Sequence, residues 1–297
     1  MSHKQEGRRV LLFIWTLFCL AFFAAFLSSG NSALVSPTGD QSGAPAPELS
    51  SLLDRAGEYC DRLSRSVLNF ICRERIDEWF RVEVKQSLEF RGDNITYLTR
   101  EEESHAYTYD YQLVRDRDGT IRESRILLRE DKKDVRVENA PLKTHSFSYA
   151  YVVMGPLGLL SRANQKDHDF KILREERIGG EPAVVIEAHP KPGVKVDHLF
   201  GTIWLRRKDA GILKIQWNPA SIGNYAGIEE IGRRLKMTPI FTLTSEYAFE
   251  KNGIRFPSRY TVKEVYVKGK GRHYQRSKTE VAYDRYQFFT VETKVRY

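Results

Sequence analysis

The sequence predicts a mainly β protein with a few helices, in which one large antiparallel sheet has one dry face. From about Phe80 to Tyr297 apolar and polar residues alternate with period two, most regularly over Phe289–Tyr297. Since successive side chains of a strand point to opposite faces, such runs bury one face and expose the other. Dipeptides that tolerate the positive φ of hairpin turns separate the runs. They are Asp118-Gly119, Gly179-Gly180, Ala210-Gly211 and Asn252-Gly253.

Composition supports a single globular domain with a sizeable core. The chain has 297 residues, of which 41% are apolar and 12% aromatic, and Tyr and Phe dominate the aromatic set as in β-rich proteins. All-β sheets often continue past about two hundred residues as one unit. The formal net charge of +8 predicts a soluble basic surface or, alternatively, a preference for anionic lipid headgroups or polysaccharide.

An export signal is predicted over residues 1–33. Lys4, Arg8 and Arg9 precede an apolar run over Val10–Leu27, and small and polar residues follow. This order is typical of a secretory leader, and the length of the run fits either a cleaved signal peptide or a retained anchor. Since the basic end stays inside, both alternatives place the rest of the chain outside the cytoplasm, where nucleic acid is not an expected partner.

A tether and a helix are predicted next. Residues 34–48 are rich in Ser, Gly, Pro and Ala, as flexible linkers are, and the main domain is assigned to residues 49–297. Beyond the tether, apolar residues recur at helical spacing with charged residues between them, which predicts an amphipathic helix that ends before Asn69. The apolar positions are Leu49, Leu52, Leu53, Ala56, Cys60, Leu63 and Val67.

Two cysteines, Cys60 and Cys72, lie in the predicted exported domain. In an oxidising compartment such a pair usually forms a disulfide, which here would tie the helix to the first strand. The alternative is two buried free thiols. Neither cysteine has a second Cys or His nearby at ligand spacing, so a metal site is not expected there.

Two irregular stretches interrupt the strand pattern. Val152–Leu160 is apolar but broken by Gly and Pro, which predicts a short helix or broken segment packed on the dry face. Asn218–Pro239 carries apolar residues at helical spacing beside Arg233, Arg234 and Lys236. It predicts a short basic amphipathic helix that either covers the sheet or moves as a lid.

Several segments carry a family resemblance: Cys60 with Cys72-Arg73-Glu74, Gly155–Ser161, Phe170–Glu176, Gly201–Leu205 with Ile212–Ile215, Asn252–Ser258 and Tyr286–Val291. In this order they resemble the LolA/LolB-like lipoprotein-carrier superfamily, particularly its exported outer membrane lipoprotein-sorting branch. The resemblance extends over roughly Leu49 to Tyr297. It implies a strongly curved antiparallel half-barrel whose apolar concave face is closed by helices. It also implies binding of a lipid or lipoprotein acyl chain, in the periplasm or cell envelope of a bacterium.

A groove for an apolar chain is predicted on the dry face. A half-barrel must fill its inside with side chains, a helix or a ligand, and an acyl chain gains about 0.8 kcal/mol for each CH₂ buried. Trp204 and Leu205 point to opposite faces, so one of them should face the groove. The alternative is that Val152–Leu160 plugs the groove, which leaves a structural or interaction module of the envelope with no ligand. The candidate ligand-binding residues are Tyr109, Tyr111, Trp204, Leu205, Phe241, Tyr247, Phe249 and Phe289.

Neither enzymatic chemistry nor a cofactor or metal is expected. The sequence has no nucleophile elbow, phosphate-binding loop or dinucleotide fingerprint, and its seven histidines are scattered. Asp197-His198 is the nearest arrangement to a site, and a surface turn is the simpler interpretation. The basic stretch Lys268–His273 predicts a solvated hairpin tip or, alternatively, a contact for phosphate or sugar-acid groups at a membrane surface.

Overall fold

Most of the chain lies in a single sheet in the computed structural model of the protein. The predicted leader over residues 1–33 lies outside the described residues, as does most of the tether. Residues 42–297 belong to one compact unit with its own core. The structure describes residues 46–66, 69–90, 93–116, 119–223, 225–269 and 271–289.

Helix α1 (Ala46–Ser66) opens the described part of the chain. It begins inside the predicted tether and ends before Asn69, as the helical spacing predicts. Four of its five buried apolar residues lie at positions that the apolar spacing indicated, and Tyr59 is the fifth, because one face of an amphipathic helix has to be covered. These five residues are Leu52, Ala56, Tyr59, Cys60 and Leu63.

The first group of strands runs outward from the middle of the sheet to one edge. It consists of β1 (Phe70–Phe90), β2 (Asp93–Arg115), β3 (Ile121–Glu130) and β4 (Lys133–Val137). Each strand pairs antiparallel with the next one along the chain. The turns between them include Gly119 and Asp131, both of which have positive φ.

The second group starts at the opposite edge and returns to the middle. Its strands are β5 (His168–Ile178), β6 (Glu181–Pro190), β7 (Gly201–Arg206), β8 (Ile212–Trp217), β9 (Thr238–Glu246), β10 (Phe249–Lys251), β11 (Ile254–Phe256), β12 (Arg259–Lys268) and β13 (Arg272–Phe288). Strands β10 and β11 form a separate hairpin. The other strands complete an open sheet in the order β4-β3-β2-β1-β13-β12-β9-β8-β7-β6-β5, all antiparallel. This sheet confirms the predicted curved half-barrel.

Because the first group ends at one edge and the second begins at the other, the chain has to pass across one face of the sheet between them. Residues 138–167, the crossover, make this passage from β4 to β5. Their first half has no helix or strand. Their second half holds a 3₁₀ turn (Val152–Met154), α2 (Gly155–Leu160) and α3 (Arg162–Gln165). The short helix predicted for Val152–Leu160 is therefore confirmed.

The second irregular stretch also forms the predicted helix, α4 (Tyr225–Leu235). Its residues Tyr225 and Ile228 pack against the main core, and the hydroxyl of Tyr266 on β12 donates to the carbonyl of Ile228 at 3.3 Å. Helix α4 therefore covers part of the concave face.

Both described cysteines are buried and free, so the predicted Cys60–Cys72 disulfide is wrong. The reason is the way that α1 docks. Its Cys60 Sγ lies 3.8 Å from the carbonyl oxygen of Pro156 in α2, whereas Cys72 lies on β1 beside Tyr286. The alternative of two buried thiols describes the molecule.

In the part of the chain that the structure describes, no helix has the length and apolarity needed to cross a membrane.

A thiol titration tests the correction. For residues 42–297 denatured without reductant, we expect two reactive thiols per chain, because neither cysteine is oxidised. In the native protein both should react much more slowly, since Cys60 and Cys72 are each only 1% exposed and burial raises the pKa of the Cys60 thiol to about 12. Finding no free thiol in the denatured, unreduced protein would restore the disulfide.

Candidate functional site on the concave face

The concave face is an aromatic and aliphatic surface that carries a few buried polar groups. Alternate residues of β2 place three tyrosines on it, and the register sets Tyr109 opposite Glu74 of β1. Strands β9, β12 and β13 add further rings. Among the buried aromatic residues of this face are Tyr107, Tyr109, Tyr111, Phe241, Tyr247, Tyr260, Tyr266 and Tyr283.

The crossover places two of its own aromatic residues on this surface. The ring centroid of Phe147 lies 6.2 Å from the centroids of both Phe241 and Tyr260. Tyr149 is buried, and its ring lies 5.3 Å from that of Tyr260. Aromatic pairs at these separations are favourable beyond the area that they bury. The crossover therefore occupies the surface on which the sequence predicted a groove.

One end of the crossover is fixed by a buried carboxylate, that of Glu78 on β1, which is 2% exposed. It accepts hydrogen bonds from the backbone N–H of His145 at 2.9 Å and from both the N–H and the hydroxyl of Ser146 at 2.7 Å. Thr279 on β13 donates at 3.5 Å. An unpartnered carboxylate in this position would cost several kcal/mol, so Glu78 holds the loop against the sheet.

A second buried carboxylate, that of Glu74, anchors the next part of the crossover. It lies in an ion pair with Arg125 of β3, whose Nε atom is 2.7 Å away. The hydroxyls of Tyr149 and Tyr283 donate to the same carboxylate at 3.1 and 3.0 Å. Arg125 also contacts Glu123 at 2.8 Å. The guanidinium of Arg125 thus links β3 to β1, and the hydroxyl of Tyr149 links the crossover to the same carboxylate.

The opposite charges of this cluster stabilise one another although the side chains are buried. Burial lowers the pKa of the Arg125 guanidinium, but the charges of Glu74 and Glu123 outweigh it, and the pKa lies above its ordinary value. Burial raises the pKa of Glu123, with Arg125 opposing the shift. Glu123 also accepts the backbone N–H of Tyr151 at 2.9 Å. The cluster therefore holds the backbone of the crossover as well as its side chains.

A third contact fixes the part of the crossover that precedes these two anchors. The hydroxyl of Tyr109 accepts the backbone N–H of Lys143 at 3.3 Å and donates to the carbonyl of Pro141 at 3.5 Å. The ammonium of Lys143 lies 2.6 Å from Glu130 at the edge of the sheet. The irregular half of the crossover is thus fixed mainly by polar contacts to the strands beneath it.

The far end of the crossover is fixed by two histidines. His168, buried at the start of β5, directs Nδ1 at the carbonyl of Asn164 at 2.9 Å, so this nitrogen carries a proton. Its Nε2 then accepts a hydrogen bond from Nε2 of His198 at 3.3 Å. A Cβ added to Gly158 of α2 would lie 3.2 Å from the Cβ of His198, so α2 and His198 are in close contact. His198 is therefore a packed residue, and only Asp197 lies on the surface turn that the sequence suggested.

An open groove lies beside the Glu78 anchor, with a volume of about 990 Å³. The ring of His145 stacks on those of His105 and Phe80, at centroid distances of 4.9 and 5.1 Å. Acidic and basic side chains both line the groove, among them Asp131 and Lys132. Its mixed charge does not select one class of ligand.

Five of the eight predicted ligand-binding residues belong to the main core. Four of them come from the strands β2, β7 and β9, and the fifth directly follows β9, so the sheet brings all five to one face. They are Tyr109, Tyr111, Leu205, Phe241 and Tyr247.

Trp204 and Leu205 lie on opposite faces of the sheet. Leu205 belongs to the main core, whereas Trp204 lies in a small separate cluster. The indole N–H of Trp204 donates to Glu176, and the ammonium of Lys214 lies 4.6 Å from its ring centroid. The remaining two candidates, Phe249 and Phe289, are 36% and 40% exposed.

Sequence reasoning missed the residues that anchor the crossover. Glu74 and Glu78 were available in the pattern, because they have the same parity on β1 as the buried Cys72, Ile76 and Phe80. A charged residue at a buried position predicts a specific partner. The partner of Glu78, the backbone at His145 and Ser146, gives no signal in the sequence.

Within the described ranges, no group of three or more His, Cys, Asp or Glu side chains is arranged to hold a metal ion.

Comparisons with known proteins give likenesses of structure alone. No protein-family model and no curated sequence matches the chain. A DUF1329 family protein from Desulfovibrio piger is 9% identical, with a TM-score of 0.36 over 83% of this chain and 95% of its own. A domain of the outer-membrane lipoprotein-sorting type from Vibrio parahaemolyticus is 14% identical, with a TM-score of 0.35 over 82% and 94%. A LolA superfamily protein from Nitrosomonas europaea is 15% identical, with a TM-score of 0.31 over 82% and 94%.

Two of these neighbours bear names from the superfamily that the sequence resembles. At such identities and scores the likenesses carry no argument, and function has to be argued from this chain's own residues.

The Glu78 anchor can be tested by a single substitution. Glu78→Gln should lower the free energy of unfolding by about 2 kcal/mol, because an amide NH₂ then faces buried donors that need an acceptor. Amide hydrogen exchange at residues 143–147 should become faster. Asp77→Asn, the exposed neighbour on the same strand, is the matched control and should change stability by less than about 0.5 kcal/mol. Equal effects of the two changes would show that Glu78 is not an anchor.

The histidine pair makes stability depend on pH. Burial lowers the pKa of His198, while Asp197 and Asp167 oppose the shift. The unfolded chain therefore binds a proton at His198 near pH 6.5 that the folded chain does not, and stability should fall as the pH drops through about 6.5. Urea unfolding at a series of pH values measures this. His198→Gln should flatten the slope and exposed His273→Gln should not; an unchanged slope in His198→Gln contradicts the assignment.

Proposed function

We propose that the chain is an exported cell-envelope protein that binds the apolar chain of a lipid or lipoprotein on its concave face. The supporting observation is that Phe147 and Tyr149 of the crossover lie on Phe241 and Tyr260 without being part of a helix or strand. In this proposal Phe147 occupies the position of the ligand in its absence, and Tyr149 stays anchored on Glu74.

The surface beneath the crossover suits an acyl chain. Leu243, Val262 and Val281 lie beside the aromatic residues, and each is no more than 2% exposed. Each CH₂ that enters gains about 0.8 kcal/mol, whereas a displaced aromatic side chain loses roughly 3 kcal/mol of burial. A buried run of more than about four CH₂ groups therefore outweighs the ring of Phe147 that it replaces.

The crossover is also the element best suited to move. Residues 140–151 have no helix or strand, and their contacts with the sheet are concentrated at Glu78, Glu74 and Tyr109. Segments with few regular hydrogen bonds open locally at a lower free energy than the strands beneath them. The ligand would thus enter by displacing Phe147 while the sheet keeps its pairing.

The proposed binding surface keeps the five predicted residues of the main core and leaves out the other three. Phe241, Tyr247 and Leu205 provide apolar contacts, and Tyr109 and Tyr111 border the anchored end. Trp204 lies in the separate cluster, and Phe249 and Phe289 are exposed. The proposal involves no catalytic step. It places the protein in the envelope on the strength of the predicted leader.

A structural or interaction module is the second candidate. Its supporting observation is that Tyr149, Leu159 and Leu160 already fill the concave face, each being 9% exposed or less. In that case the crossover is a permanent part of the core, and no ligand displaces it.

A fluorescent fatty acid distinguishes the two candidates. Residues 42–297 should bind the probe with a Kd of about 1 μM, and Phe241→Glu should weaken binding by at least tenfold, because a carboxylate at that position is desolvated by an acyl chain. Thr242→Glu, the next residue on β9, points to the other face and should leave binding unchanged.

Removal of the occupant provides the reverse test. Phe147→Ala should strengthen binding of the same probe, since one competing ring is gone. If neither the native protein nor Phe147→Ala binds the probe, while both remain folded by circular dichroism, the carrier proposal is rejected and the module remains.

A further inference from the structure

Two basic segments that are separate in the sequence meet at one end of the sheet. The last turn of α4 lies beside the tip of the β12–β13 hairpin, and a groove of about 620 Å³ lies between them. Both segments are basic in the sequence, and neither belongs to the surface proposed to bind the apolar chain. The groove is lined by Glu229, Gly232, Arg233, Lys236, Met237, Thr238, Pro239, Val267, Lys268 and Gly269.

The last turn of α4 can lie close to the sheet because Gly232 has no side chain. A Cβ on this buried glycine would lie 2.9 Å from both the carbonyl oxygen of Met237 and the Cδ of Pro239. Helix α4 ends at Leu235, and Lys236 follows with a φ of 54°. This sharp end brings the basic residues of the helix to the start of β9.

The groove carries an excess of exposed positive charge. Arg233 pairs with Glu230 on its own helix, and the pair is well exposed. Lys236 and Lys268 are exposed, and the strand register sets Lys268 directly opposite Arg272. Like charges opposite each other on a hairpin are destabilising. Their juxtaposition is explained if an anionic partner lies over them.

An exposed apolar side chain lies next to this charge. Ile240, two residues after Thr238 of the groove, is 48% exposed. It is set opposite Val265 of β12 and points to the face away from Phe241, at the same end of the sheet as the groove. A basic cluster beside an exposed aliphatic side chain is the arrangement by which proteins adsorb to an anionic bilayer.

We propose that this groove docks the protein on a membrane surface rich in anionic lipid. A free phosphate would make no use of Ile240, and an open groove with exposed lysines has no buried donors to enclose one. A bilayer engages both features at once. The docking is independent of whether the concave face binds a ligand.

Vesicle flotation tests the docking. Residues 42–297 should bind phosphatidylcholine vesicles in which phosphatidylglycerol makes up about a third of the lipid, and should not bind phosphatidylcholine alone. Each basic side chain near such a surface raises the binding constant about fivefold. The triple variant Arg233→Gln, Lys236→Gln, Lys268→Gln should therefore bind about a hundredfold more weakly. Ile240→Ser should weaken binding by about tenfold.

A charge-matched variant separates the groove from the net charge of the protein. Lys171→Gln, Lys191→Gln, Lys195→Gln removes three exposed lysines elsewhere and should retain binding within about threefold. All the changes are at exposed residues, and circular dichroism confirms that each variant folds. Equal losses in the two triple variants would overturn the proposal, as would equal binding to neutral vesicles.

A soluble competitor separates a bilayer from a free headgroup. Glycerol phosphate in excess over the lipid phosphate, at constant ionic strength, should leave the protein on the vesicles. Displacement by glycerol phosphate would mean that the groove recognises a single phosphate, and would overturn the membrane assignment. Loss of fatty-acid binding with docking intact would bear only on the concave face.

Discussion

Hydrogen bonding to two carboxylates buried on the dry face decides where the chain passes from one edge of the sheet to the other. Glu74 and Glu78 lie on the same face of β1, two strand repeats apart. The neighbouring strands supply only part of the hydrogen-bond donors that both carboxylates need. The crossover supplies the remainder through Tyr149 and through the backbone at His145 and Ser146. Since a buried carboxylate without donors is costly, the sheet and the crossover stabilise each other and neither is complete alone.

Two kinds of interaction therefore act on the same segment. The carboxylates are directional and accept only donors at set distances, so they fix the register of the crossover on the sheet. The ring contacts of Phe147 are apolar and tolerate replacement by other apolar groups of similar size. In the proposed binding mode a ligand substitutes for the ring of Phe147 and leaves the contacts of the two carboxylates in place.

Local patterns predicted the elements of this fold, and tertiary contacts that they do not encode decided the rest. Period-two alternation predicted the strands, and Gly119, Gly179 and Gly253 have the positive φ that their turn dipeptides indicated. The spacing of Cys60 and Cys72 could not show that α1 turns its cysteine toward α2. The alternation also could not show which of Trp204 and Leu205 faces inward, because it indicates only that their side chains point to opposite faces. The anchored crossover depends on the strand order, which no local pattern contains.

The pairing of β1 with β13 joins the two ends of the domain at the middle of the sheet. Phe70 is opposite Phe288, so the central ladder closes a loop on the order of two hundred residues. Closing such a loop costs entropy before its contacts are gained, which slows folding. While the last strand is still being synthesised, the central ladder cannot form. Completion of the core therefore depends on the strand that leaves the ribosome last.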